Sequence, residues 1–161
     1  NNDYDLWDFE WEKTPPSITN ENQFPILVTI PTTAGTGAET ESTAMVTDTK
    51  EGVKWCICHP GLKPTIAILD PELTLDLPSN LTAWTGIDAM VHSVEGYCVP
   101  GSHPLCDGAA LESLNLISKS LITAVEEPSN LAARGAMLVA SCLGGIAFIK
   151  GLGLVLSLIH I

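Results

Sequence analysis

Positive charge is what this chain has least of: seven Lys and Arg stand against 19 Asp and Glu, a formal net charge of −12 over 161 residues. Nucleic acid and anionic membrane are excluded as partners on that ground, because either needs a basic patch and the seven cations are scattered. A negatively charged cofactor would have to be met by backbone N–H groups and single lysines. Paired-cysteine motifs are missing as well. The five cysteines (Cys56, Cys58, Cys98, Cys106, Cys142) are odd in number, irregularly spaced and without a CxxC pair. That removes the zinc-knuckle and thioredoxin-type readings and fits a reducing, cytoplasmic compartment. Cys56-Ile57-Cys58 before His59 reads as a strand with both thiols on one face rather than as a metal site.

Further absences concern the ends and the apolar runs. The start is acidic and polar where a signal peptide would be basic and then apolar. It opens at Asn1 without methionine, so the expectation is a chain that begins partway through a longer protein. The run from Gly135 to Ile159 alone approaches bilayer length. Lys150 in its interior, with glycines at 144, 145, 151 and 153, makes a buried, closely packed helix the better account. No internal repeat is visible.

What is present suffices for a core, since 45% of the residues are apolar and the length is that of one ordinary domain. Leu6, Trp7, Phe9 and Trp11, interleaved with acids, suggest a short helix or cap docking aromatics. Thr14 to Gln23, with Pro15-Pro16, reads as a loop, and Phe24 to Pro31 as a fully buried strand. Ser42–Thr47 and Val53–Cys58 read as a hairpin about the turn 48–52, and Thr65–Leu69 as a further strand running into the turn Asp70-Pro71-Glu72-Leu73. After Pro78 the pattern becomes helical. Ser79 is the expected N-cap of a helix to about Cys98; Pro100 to Pro104 breaks it; a second helix runs from about Leu105 to Val125 with Ala110, Leu114, Ile117 and Leu121 on one face; Ser129 is the expected cap of a third, from Leu131 to about Lys150. Strands first and helices afterwards imply two lobes with a seam near Leu73 to Pro78.

Two stretches carry chemistry. In the first, Thr32-Thr33-Ala34-Gly35-Thr36-Gly37-Ala38-Glu39 follows the strand, at the kind of strand end where open α/β sheets bind ligands, and offers small residues and hydroxyls to a phosphate or ribose. It is neither the dinucleotide fingerprint, for want of a third glycine at position 40, nor a P-loop, for want of GK[ST]; a plain Gly/Thr turn reads equally well. In the second, Thr85 to Tyr97, Asp88 and His92 are four residues apart, on one face of a helix and one turn apart. A carboxylate and a neutral imidazole suit Fe(II) or Zn(II) better than Mg(II) or Ca(II). Taken alone, such a pair is more often an ordinary surface or core pair. His59 and His103 flank loop prolines and read as surface residues, and Glu95 as a solvated carboxylate or one standing behind a ligand.

Together, PTTAGTGAE, the DPELT of 70–74, TAWTGIDAMVHSVEGY and the closing GLGLV resemble the iron-containing, group III alcohol dehydrogenase family, in family order and spacing from Pro25 to Val155. The resemblance implies a dehydroquinate synthase-like architecture, here truncated: an α/β remnant of a dinucleotide-binding domain over 1–75, then part of an all-helical metal-binding domain over 76–161. It implies Asp88 and His92 as two metal ligands, and Thr32, Thr33, Lys54 and Leu73 as contacts of NAD or NADP. The ion would be Fe(II), with Zn(II) as the substitute, and the substrate a small alcohol, aldehyde or ketone. Homo-oligomerisation stays open. Glu41 departs from the small residue usual there. The family's pyrophosphate-cradling glycine motif would lie before Asn1, and where a third ligand, a histidine, should follow GLGLV this chain has Leu156. Leu156–Ile161 reads, in one frame, as a translated transposase-adapter end, so it is expected to be a non-native tail; the competing reading is a natural His-to-Leu change at 156, which Ile159 and Ile161 fit less well. The implied activity is metal-dependent hydride transfer between an alcohol and nicotinamide, with little or none expected from these 161 residues by themselves. Two rival readings are a metal-independent reductase of the same superfamily, against which the presence of both Asp88 and His92 argues, and a non-catalytic helical association module.

Overall fold

The structure, a computed structural model, describes residues 4–18 and 24–153. The expected tail at 156–161 lies outside the described residues. In chain order the elements are strands β1 (Val28–Thr29), β2 (Thr43–Asp48), β3 (Val53–Cys58) and β4 (Ile66–Ala67), then helices α1 (Ser79–Cys98), α2 (Pro104–Glu126) and α3 (Leu131–Ala147), with short 3-10 turns between. They pack as two compact units. Of the described residues, one unit takes in those up to Val28 together with Glu41–Ile66, the other Thr29–Thr40 together with those from Ala67 onward. Residues 29–40 and 67–75, assigned from the sequence to the first lobe, therefore pack with the helices.

The first unit is built on the expected hairpin. β2 and β3 are antiparallel, with Thr43 opposite Cys58 and Asp48 opposite Val53. Its turn is held by Asp48, whose carboxylate accepts the N–H groups of Lys50 and Glu51, and by Gly52, which at φ +68° returns its N–H to Asp48 O. Cys56 and Cys58 share one face of β3, and Ile57, on the other, is buried. The aromatic N-terminal stretch forms a 3-10 turn, Leu6–Phe9, capped by Asp5, and Trp11 N–H donates to Cys56 O. Phe9 meets the ring of His59 edge-on and Phe24 stacks on it. His59 Nδ1 accepts Gly61 N–H, so this histidine caps a turn and has no chemistry assigned to it.

The second unit is a three-helix packing around Ala89, Ile117, Ala124, Met137 and Ala140. On α2 the expected inner face is the one that packs, with Ala110 and Ile117 buried and Leu114 and Leu121 half-buried. Two caps shift by one residue. Ser79 lies inside α1, behind Pro78 at the cap position, and Thr82 N–H donates to Pro78 O; proline has a fixed φ and no N–H to leave unsatisfied at a helix start. Asn130, not Ser129, caps α3 by accepting Ala133 N–H. His103 caps α2 through Nδ1. The segment Leu131–Lys150 is long and apolar enough to cross a membrane, and half of it is buried within the protein. It bends from α-helix into a 3-10 turn at Phe148–Lys150.

The run from Phe24 to Pro31 departs from expectation. Only two residues of it form a strand, and Ile26 is 77% exposed, with Leu27, Val28 and Ile30 exposed as well. The expected strand 65–69 likewise shortens to Ile66–Ala67. Among the described residues β1 pairs with β4 alone, and from Pro25 to Ile30 every residue except Thr29 is exposed. An apolar run states that a strand suits burial on both faces; it does not supply the layers that bury it.

Candidate metal centre and cofactor loop

Asp88 and His92 are brought together by α1, as their spacing requires. His92 Nε2 lies 3.7 Å from Asp88 Oδ1. That is too long for a hydrogen bond. Two donors about 2.1 Å from a tetrahedral ion lie roughly 3.4 Å apart, so the 3.7 Å gap is wide enough to admit a shared cation. The histidine is 7% exposed, while the Asp88 side chain is about a third open.

The other face of the imidazole is already used. His92 Nδ1 lies 3.2 Å from the carbonyl oxygen of Gly35, which can only accept, so Nδ1 carries the proton and donates. In the neutral ring Nε2 is then the lone-pair nitrogen, on the side facing Asp88. A carbonyl that sets the tautomer in this way is the arrangement in which histidine ligates metals. Phe148 packs against the ring, its centroid 4.9 Å from that of His92 and the two planes tilted by 55°.

The Gly35 carbonyl is placed by the loop that the sequence singled out. At Gly35 a Cβ would come within 2.9 Å of Thr85 Cβ and 3.0 Å of Thr85 O, so glycine lets the loop backbone lie against α1. Gly37 has φ +62°, and its N–H donates to Ser141 Oγ on α3. Thr40 Oγ1 donates back to Gly37 O. Glu39 is buried on the same turn, with no partner for Oε1 among the described residues. Desolvation raises its pKa, partly offset by a hydrogen bond to its own backbone. Burial, then the nearby Glu39 charge, also pushes up the thiol of Cys142.

Of the residues matched to cofactor contacts, Thr32 is exposed and Thr33 half-buried at the mouth of this loop. Leu73 is exposed on the Pro71–Thr74 turn, which Asp70 caps by accepting Glu72 N–H. Arg134 on α3, 2% exposed, pins that turn: Nη1 donates to Thr74 O at 2.6 Å and Nε donates to Pro128 O, while burial lowers its pKa. Lys54 is exposed on β3, opposite Thr47, in the other unit. Among the described residues no group of three His, Cys, Asp or Glu forms a metal site, so Asp88 and His92 stand as a two-donor pair. Sequence reasoning missed the Gly35 carbonyl as tautomer-setter, and Ser141, Arg134 and Phe148 as supports. No local signal marks a main-chain acceptor or a buried serine on a helix of small residues.

Two family profiles match the chain: iron-containing alcohol dehydrogenase over residues 1–71, and the C-terminal part of the Fe-containing alcohol dehydrogenase family over 82–160. The chain is 45% identical over 135 residues to a probable alcohol dehydrogenase, EutG, of Escherichia coli K12, covering 83% of this chain and 34% of that protein. It is 43% identical to an NAD-dependent methanol dehydrogenase of Bacillus methanolicus, covering 83% of this chain and 35% of that one. Among solved structures, sulfoacetaldehyde reductase from Bifidobacterium kashiwanohense in complex with NAD+ superimposes with a TM-score of 0.82 at 37% identity, over 93% of this chain and 39% of that one. The chain thus spans about a third of the length of the curated relatives it matches. With two profiles over nearly its whole length, and a fold shared with such enzymes, the chain belongs to the iron-containing alcohol dehydrogenase family.

Proposed function

We propose that this chain forms the metal-binding part, with some of the cofactor-binding part, of a cytoplasmic NAD(P)-linked alcohol dehydrogenase of dehydroquinate synthase-like architecture, residues 1–75 serving the nucleotide and 76–161 the metal. The observation that carries the reading is the His92 imidazole, held by the Gly35 carbonyl so that its free nitrogen faces the Asp88 carboxylate. A carboxylate and an imidazole suit Fe(II), the metal of the family name, and Zn(II) equally in donor type. When bound, such an ion supplies Lewis acidity toward the oxygen of an alcohol or carbonyl substrate, and NAD(P) carries the hydride.

The residues of the chain do the rest. Asp88 offsets part of the ion's charge and His92 gives a neutral nitrogen. The loop from Thr32 to Thr40 orients that nitrogen, and its exposed Thr32 and half-buried Thr33 offer hydroxyls to the cofactor. Leu73 offers an apolar contact on a turn fixed by Arg134, and Lys54 a single cation toward a phosphate. Because a two-donor set holds an ion weakly, the 161 residues by themselves have little activity.

The test is NAD(P)-linked oxidation of small primary alcohols by a protein completed to the length of its relatives, with and without added Fe(II). Asp88→Ala and His92→Ala should each lose retained metal and turnover together. Turnover at the unsubstituted rate by metal-depleted Asp88→Ala protein would point to a metal-independent reductase; intact metal-free folding with no turnover under any condition would leave an association module.

A further inference from the structure

Past the end of α3 the chain folds back on α1. Gly151 N–H donates to Phe148 O, closing a turn, and Lys150 Nζ donates to Tyr97 O and pairs with Asp107 at 2.7 Å. Gly153 N–H then donates to Glu95 Oε2 at 3.1 Å. The contact is close-fitting: a Cβ on Gly153 would lie 3.0 Å from the Glu95 carboxyl carbon and 3.2 Å from each oxygen. Glu95 is one turn beyond His92 on the same helix, and the residue that begins the turn, Phe148, packs on the His92 ring. One end of the segment 148–153 therefore rests on the candidate ligand, and its other end is tied to a carboxylate three residues further along.

We propose that Glu95 is a positioning residue for the Asp88–His92 pair: by anchoring the Gly153 amide it closes the 148–153 turn against α1 and seats Phe148 on the imidazole. The inference rests on the reading of that pair as a metal site, but the clamp itself makes a claim about the metal-free chain. An imidazole is free to rotate about its side-chain bonds unless its surroundings stop it. Here the Gly35 carbonyl holds one edge and Phe148 packs against the ring at a tilt of 55°; releasing Gly153 loosens the turn that follows Phe148 and with it the second restraint. Glutamine keeps an acceptor oxygen and should preserve the clamp, whereas alanine removes it.

The experiment uses the 161-residue chain and its Glu95→Ala, Glu95→Gln and Gly153→Ala variants. Amide hydrogen exchange at Gly153 reads the clamp, imidazole 15N shifts of His92 read the tautomer without metal, and Co(II) titration reads the ligand pair. Glu95→Ala is expected to speed Gly153 exchange about tenfold or more, to shift His92 from the Nδ1-protonated form toward a tautomer mixture, and to weaken Co(II) binding about tenfold. Glu95→Gln should restore most of each response. Gly153→Ala, which presses a methyl against the carboxylate while leaving α1 untouched, should reproduce the His92 response should Glu95→Ala fail to fold. Unchanged Gly153 exchange in Glu95→Ala, or faster exchange with an unaltered His92 tautomer, overturns the proposal. Failure of the metal reading looks different: the tautomer responses would hold, while Asp88→Ala would leave Co(II) binding unchanged.

Discussion

At the scale of single residues, the candidate site is organised by main-chain atoms more than by side chains. Asp88 and His92 point at each other because a helix puts positions four apart on one face. That the imidazole presents the correct nitrogen is due to one carbonyl, Gly35 O, and that carbonyl is where it is because Gly37 adopts a left-handed conformation against α3. Gly37→Ala is therefore a sharper probe than its size suggests. Its methyl would be 2.6 Å from Ser141 O, on a residue with φ +62°, so strain and collision add. The expected cost is about 2–3 kcal/mol in urea unfolding, with the His92 tautomer altered even where the fold survives. A loss below about 0.5 kcal/mol would mean that the loop is not held as described.

Among elements, the three helices are joined by a polar thread where apolar packing would be the usual choice. Ser93 Oγ lies 2.7 Å from Ser113 Oγ, which donates to Ala140 O at 2.7 Å, all fully buried. This one chain links α1, α2 and α3. Ser113→Ala leaves Ser93 its alternative acceptor, Ala89 O at 2.8 Å, and should cost about 1 kcal/mol. Ser113→Val buries two extra carbons between close helices and should cost about 2 kcal/mol or more; thermal unfolding of the two variants separates the terms. The helices and the hairpin were legible in the sequence because periodicity and turn residues are local properties. Helix starts shifted by one residue: Asn130 takes the cap of α3 by accepting Ala133 N–H in place of Ser129, while α1 begins behind Pro78 with no side-chain cap. The pair Asp88 and His92 was legible by spacing, and the loop by its composition. What the loop does to His92 was not, because Gly35 and His92 meet only after α1 and residues 29–40 share one packed unit. The buried reading of Phe24 to Pro31 failed for a similar reason, since burial depends on layers that no local pattern encodes.

For the molecule as a whole, charge and burial set a pH profile whose sign can be worked out. Glu39 has its carboxyl pKa raised in the fold by desolvation, so the native state binds that proton more tightly than the unfolded chain does. Its contribution is fully present below the unfolded value near 4.5 and is lost as pH rises through the folded value. Asp107 runs the other way. The hydrogen bond from Lys150 holds its carboxyl below 3.8, so its contribution is present above that value and is lost as pH falls through the lower, folded one. A net charge of −12, approached as the remaining acids ionise, adds self-repulsion on the alkaline side, and salt screens it. The three effects place maximum stability on the mildly acidic side of neutrality, so the urea midpoint should be higher at about pH 5 than at about pH 8. Glu39→Gln should raise the midpoint at pH 8 more than at pH 5 and flatten the profile, because an amide has no ionised form to bury. Added salt should recover part of the remaining difference at pH 8, since it acts on the surface charges and leaves the desolvation of Glu39 unchanged. If instead Glu39→Gln shifts both midpoints equally, burial of the ionised carboxylate is not what shapes the profile, and the effect of the substitution is one of packing alone.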